Sequence, residues 1–153
     1  MMSLRCMAFG MDVLIHDPYK GHDNLDFILK QSDIISLHVH VTDETRHMVD
    51  KKFLDLIQKD SYIINTSRGE IVNENDIVQS LRDGHLKGYA TDVIEDEYGD
   101  RYNSPILKGI KEGLNIIVTP HVGGMTWEGQ QKAYKWSINK LEKIKWNTNQ
   151  HMP

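Results

Sequence analysis

The sequence predicts a parallel α/β sheet of the doubly wound kind. Three observations carry that expectation. Short apolar runs of strand length alternate with amphipathic stretches. The runs are continuously apolar, as in strands covered on both faces. Strand–helix repetition also requires right-handed crossovers, which wrap helices over a sheet.

The elements follow in order. Asp12–His16 reads as the first strand. Asn24–Gln31 reads as a short helix with Leu25, Ile28 and Leu29 on one face. Ile34–Leu37 is the second strand, and Asp50 is placed to cap a helix whose inner face is Phe53, Leu54 and Ile57. Tyr62–Ile64 is the third strand. Asn73 can cap the next helix, with Ile77, Val78 and Leu81 inward and Gly84 at its C-terminal turn. Gly88–Thr91 leads into a fourth, less apolar strand, and Asn115–Val118 is the fifth. The final helix begins near Thr126 or Trp127 and spaces Tyr134, Ile138, Leu141 and Ile144 by four and three. The segment Glu95–Gly113 breaks this rhythm. It is long and polar and contains Pro105, so it reads as a functional loop or flap.

Composition narrows the function. A chain of 153 residues with 39% hydrophobic and 26% charged residues suits one globular domain with a real core. The net charge is -4, and no dense Lys/Arg run precedes the last helix, which argues against nucleic acid or an anionic membrane as partner. No apolar stretch reaches membrane-spanning length and no signal-peptide pattern is present. The single cysteine, Cys6, reads as a buried structural thiol in a reducing compartment, so a cytoplasmic location is expected. No metal site is expected. Residues 1–4 are set aside as outside the fold.

Ligands of open parallel sheets bind outside the carboxyl ends of the strands. Asp17 follows the first strand, His38 and Val39 the second, Thr66, Ser67 and Arg68 the third, Asp92 and then Glu97 the fourth, and His121, Gly123 and Gly124 the fifth. Singly, each has a bland reading: Asp17 as a turn residue, Arg68 as a surface ion pair, Glu97 as part of a solvated acidic run, His121 as a solvated imidazole. Together on one rim they suit redox chemistry on a 2-hydroxy or 2-keto acid. Arg68 offers a two-pronged grip on a carboxylate. His121 can exchange the hydroxyl proton near neutral pH, and Glu97 can orient its ring and stabilise its charge. Gly123 and Gly124 allow a cofactor close to the backbone. Asp17 can accept both ribose hydroxyls of NAD and would repel a 2′-phosphate.

The runs Ala8-Phe9-Gly10-Met11-Asp12-Val13, Asp17-Pro18-Tyr19, Ser36-Leu37-His38-Val39, Asn65 through Val72, Asp92-Val93 and Thr119 through Gly124 occur in an order that closely resembles the NAD-dependent D-isomer-specific 2-hydroxyacid dehydrogenases. That family includes D-3-phosphoglycerate, D-lactate, formate and glyoxylate/hydroxypyruvate enzymes. The resemblance runs from about Arg5 to about Leu141. It implies a Rossmann-like domain in which Arg68 binds substrate, Glu97 is the catalytic glutamate and His121 the proton donor and acceptor. Asp17 then matches the ribose-binding acid. Thr66, Ser67 and Asp92 stand around the nicotinamide, and Gly123 and Gly124 form the cofactor-side turn. Two departures stand out: His40 and Tyr98 occupy places where the family usually has proline.

The resemblance also implies what this chain is without. The family's glycine-rich loop ends about 18 residues before the ribose acid, and counting back from Asp17 falls just before the first residue. The expected domain is therefore residues 5–145, with Cys6–Met11 as the tail of a helix. Its first strand, phosphate loop and most of that helix are expected to be absent, along with the substrate domain. On that expectation the chain is a poor catalyst by itself, binds NAD weakly or not at all, and covers its exposed sheet by self-association. The partner class is a small 2-hydroxy or 2-keto acid. The rival expectation is a non-catalytic NAD-sensing or protein-interaction module of corepressor type.

Overall fold

The computed structural model describes residues 2–20 and 24–142. The chain divides after Thr119 into two compact units, each described by itself. In the first, four strands run in the order β1 (Ile34–Leu37), β2 (Tyr62–Asn65), β3 (Gly88–Thr91), β4 (Ile116–Val118), every neighbouring pair parallel. Helices α2 (Leu25–Leu29), α3 (Lys51–Leu56), α4 (Glu74–Arg82) and α5 (Pro105–Lys111) fall before and between them. This is the Rossmann-like parallel sheet with flanking helices that the strand–helix alternation predicts.

The helix starts lie where short polar side chains can take up the first free backbone donors. Asn24 accepts from the Asp26 amide at 2.8 Å, Asp50 from that of Phe53 at 3.0 Å, and Asn73 from those of Asn75 and Asp76 at 3.1 and 3.3 Å. Past α4, Gly84 takes a φ of +66°, the left-handed turn that glycine makes without strain. The core joins Ile35, Leu37, Ile63 and Tyr89 of the sheet to Leu29, Phe53, Leu54, Ile57, Ile77, Val78 and Ile106 from the helical layer.

Four expectations change. Residues 11–17 are irregular, so Asp12–His16 is not a strand. An apolar run becomes a strand only where a neighbour supplies ladder bonds, and among the described residues nothing pairs with the outer edge of β1. Second, within residues 2–119 the sheet buries one face rather than two. Ile35 and Ile63 are buried, while Ile34 is 48% exposed, Tyr62 37% and Ile117 63%. Continuous apolar runs permit cover on both faces, and α2–α5 supply it on one. Third, Glu95–Gly113 is not all loop. Arg101–Asn103 makes a 3-10 turn and Pro105 opens α5 at the first helical turn, where its fixed φ is favourable and its missing N–H costs nothing. Fourth, Cys6 is half-buried rather than buried, in a helix α1 (Met2–Ala8) that includes residues 2–4.

In the second unit, α6 runs Trp127–Glu142. Its predicted apolar positions are exposed: Tyr134 by 66%, Ile138 by 55%, Leu141 by 64%. Ile144 lies outside the described residues. Among the described residues no helix is long and apolar enough to cross a membrane.

Candidate active site

The carboxyl ends of the strands are brought level by register. Leu37 pairs with Asn65, Asn65 with Thr91 and Thr91 with Val118. The residues that follow, His38, Thr66, Asp92 and Thr119, therefore share one edge of the sheet.

The turn after β2 is built on Asn65, which is wholly buried. Its side-chain amide donates to the Arg68 carbonyl at 2.9 Å and its carbonyl accepts the Ser67 amide at 3.0 Å. The Ser67 hydroxyl donates to the Leu37 carbonyl at 2.9 Å, tying the turn to β1. Arg68 leaves this turn in extended backbone geometry with its side chain exposed, Nη1 donating to the Ser67 carbonyl at 2.7 Å. Thr66 is exposed.

The end of β3 is anchored to the same turn. The Thr91 hydroxyl lies 3.0 Å from the Asn65 carbonyl, and the Asp92 amide donates to that carbonyl at 3.0 Å. Asp92 is buried, and its carboxylate accepts the Thr119 hydroxyl. The chain then passes directly over Gly69. A Cβ there would fall on the backbone of Ile94 and Glu95, so only glycine lets the Arg68 turn and the segment leading to Glu97 touch. Glu97 is half-buried in the turn that follows.

His47 sits beside this contact. Its amide donates to the Glu70 carbonyl at 2.8 Å, and its Nε2 is 2.6 Å from Glu95 Oε1. Its φ is +52°, in the left-handed region that side chains other than glycine uncommonly adopt. Beneath the turn, Tyr89 is 3% exposed, and burial pushes its hydroxyl up to about 12. The hydroxyl is close to Thr91 and Asn65 but completes a well-formed hydrogen bond with neither.

The other predicted residues fall in less regular places. Asp17 opens a turn in which its carboxylate accepts the Tyr19 amide at 3.1 Å and pairs with Lys20 at 3.0 Å. It thus has the turn role of its bland reading, in an irregular segment rather than at a strand end. The exposed His38 ring is 2.9 Å from the Ser36 hydroxyl, and Val39 packs against the core. His121, Gly123 and Gly124 belong to the second unit. There His121 is half-buried with a φ of +53°, and a turn closes from the Met125 amide to the Val122 carbonyl at 3.0 Å.

Asn65, Gly69 and His47 escape the sequence reading. Asn65 and Gly69 lie inside the quoted run, but their work is structural: Asn65 closes its own turn, and Gly69 meets the distant backbone of Ile94 and Glu95. Two cavities, of about 100 and 430 Å³, are lined by residues of the α3–α4 and α4–α5 surfaces. Among the described residues no group of three or more His, Cys, Asp or Glu side chains is arranged to hold a metal.

A parallel sheet flanked by helices, with polar residues gathered at its carboxyl ends, defines the Rossmann-like class of α/β domain. Comparison with known proteins makes this specific. Residues 2–123 match the family model described as D-isomer specific 2-hydroxyacid dehydrogenase, NAD binding domain, and the chain belongs to that family. It is 37% identical to an (S)-sulfolactate dehydrogenase of Chromohalobacter salexigens, over 93% of this chain and 48% of that protein. It is 34% identical to C-terminal-binding protein 1 of Caenorhabditis elegans, over 99% of this chain and 22% of that one. A crystal structure of D-lactate dehydrogenase from Aquifex aeolicus, complexed with NAD and lactic acid, superposes with a TM-score of 0.74 at 29% identity, over 92% of this chain and 48% of that chain. The chain thus spans about half the length of these two dehydrogenases.

Proposed function

We propose that this chain is the nucleotide-binding part of an oxidoreductase that moves a hydride between NAD and a D-2-hydroxy acid or its 2-keto acid. The observation that carries the reading is the backbone contact at Gly69, which joins the Arg68 turn to the segment bearing Glu97 on one sheet edge. On this reading Arg68 grips the substrate carboxylate through its planar fork. His121 removes or returns the hydroxyl proton, and Glu97 holds the imidazole and stabilises its cation. The residues present suit NAD in part: Asp17 offers a carboxylate for ribose, and Thr66, Ser67 and Asp92 offer polar groups at the level strand ends. The nicotinamide, when bound, supplies or accepts the hydride. Val39, His38, Gly123 and Gly124 would line its path. On this reading the domain is residues 5–145 and the protein is cytoplasmic.

The test is ligand binding by the chain itself. NADH fluorescence is expected to report saturable binding that weakens in Asp17→Ala and is weaker for NADPH. A 2-keto acid such as pyruvate or glyoxylate is expected to change that signal in the parent and not in Arg68→Ala. NADH binding that Asp17→Ala leaves unchanged, or an Arg68→Ala variant that still answers the 2-keto acid, would overturn the reading.

The similarity to C-terminal-binding protein 1 favours a second reading, a non-catalytic NAD-sensing or protein-interaction module. That reading expects NADH binding with no response to any 2-keto acid. Self-association belongs to either reading. Ile34, Tyr62 and Ile117 leave apolar sheet surface uncovered within residues 2–119, and a well-folded monomer in sedimentation would count against it.

A further inference from the structure

We propose that Glu74 is a positioning residue, one buried carboxylate that holds both ends of the loop carrying Glu97. Glu74 is the first residue of α4 and only 4% exposed. Its own helix does not need it as a cap, because Asn73 already accepts the Asn75 and Asp76 amides. Both of its oxygens are used elsewhere. Oε1 accepts the Glu95 amide at 2.9 Å, and Oε2 accepts the Ser104 hydroxyl at 2.6 Å. Glu95 and Ser104 bracket the loop, and Glu97 lies between them.

Ser104 sharpens the case. It stands at the N-cap of α5, where a serine ordinarily accepts from a backbone amide, yet it makes no side-chain cap bond. Its hydroxyl is committed to Glu74 instead. Inside the loop, Asp96 organises a local turn by accepting the Asp100 amide at 2.9 Å. That turn fixes the loop's internal shape, not its place against the sheet. Its place is set at the two ends. A buried carboxylate is costly unless well hydrogen-bonded, and bonds to a charged acceptor are the stronger kind. The His47–Glu95 pair adds a third tie, but both side chains are over a third exposed, so water weakens it.

The functional consequence rests on the reading of Glu97 as the partner of the acid–base histidine; the mechanical claim stands apart from it. The experiment therefore reads the loop directly, by amide hydrogen exchange and carboxyl NMR on the full chain. In Glu74→Ala, exchange at Glu95 and across residues 96–103 is expected to rise about tenfold or more, beyond any change at Ile63, Ile64 and Ala90. Glu74→Gln can still accept the Glu95 amide and can donate its NH₂ to the Ser104 hydroxyl, but both bonds lose the charged acceptor, so its effect is expected to be intermediate. Ser104→Ala, which spares α4 and its cap, is expected to loosen residues 100–103 while Glu95 stays protected. The Glu97 carboxyl resonance is expected to shift in all three variants, which a role in stability alone would not produce. Unchanged loop exchange, loop and sheet rising together, or an unmoved Glu97 carboxyl resonance would each overturn the proposal. If a 2-keto acid leaves the NADH signal of the parent unchanged, the proposed reaction falls, and these loop measurements still decide the role of Glu74.

Discussion

Replacing Tyr89 by phenylalanine removes one oxygen from beneath the Arg68 turn and leaves the ring. The site is 3% exposed, and the hydroxyl completes no hydrogen bond there. Leaving such a group buried and unsatisfied costs about 1–3 kcal/mol, so Tyr89→Phe is expected to be more stable than the parent at neutral pH by an amount at the low end of that range. Titration gives a second, independent magnitude. The folded-state value is about 12 against 10.0 for the free side chain. The folded protein thus holds the proton more tightly than the unfolded chain does. Stability from this source is full below about pH 10 and is lost as pH rises towards 12; the loss reaches about 1.4 kcal/mol by about pH 11. The variant does not have this loss. Urea unfolding followed by far-UV circular dichroism, at neutral pH and then in steps to pH 11, measures both. The gap between the proteins is expected to widen with pH. A variant less stable at neutral pH, or a gap that stays constant up to pH 11, would refute the reasoning.

The same assay reads two further substitutions. Gly69→Ala drives a methyl into the Ile94–Glu95 backbone and is expected to cost about 3 kcal/mol, in proportion to how far that contact must open. Asn65→Ala leaves the Ser67 amide and the Arg68 carbonyl without their partner in a wholly buried place; a loss of about 2–3 kcal/mol is expected, whereas a loss under 1 kcal/mol would show that the turn re-forms without Asn65.

What the sequence revealed and what it hid follow from how local each feature is. Caps are local, and Asp50 and Asn73 are readable because each acts within three residues of itself. The strands β1–β4 were readable from their apolar runs, and the level of their ends placed His38, Thr66 and Asp92 on one edge as expected. Asp12–His16 was misread because strand formation depends on a neighbour, which a run of apolar residues does not contain. Pro105 reads as a breaker in the sequence, although at the first turn of a helix the same ring is an asset. The ties that set the loop were hidden for a different reason. Glu74 meets residues 21 and 30 positions away, and His47 meets one 48 positions away. No short pattern marks such pairs.

The contact at Gly69 and the amide bond to Glu74 share a property: on the loop side both are made by main chain. Side chains at positions 96–103 take no part in either. The segment is therefore a cassette, in which chemistry facing a ligand can be rewritten while its hinges keep their address. A library randomised at Tyr98, Arg101 and Tyr102, which are exposed, samples new recognition surfaces without loosening the frame that carries Glu97.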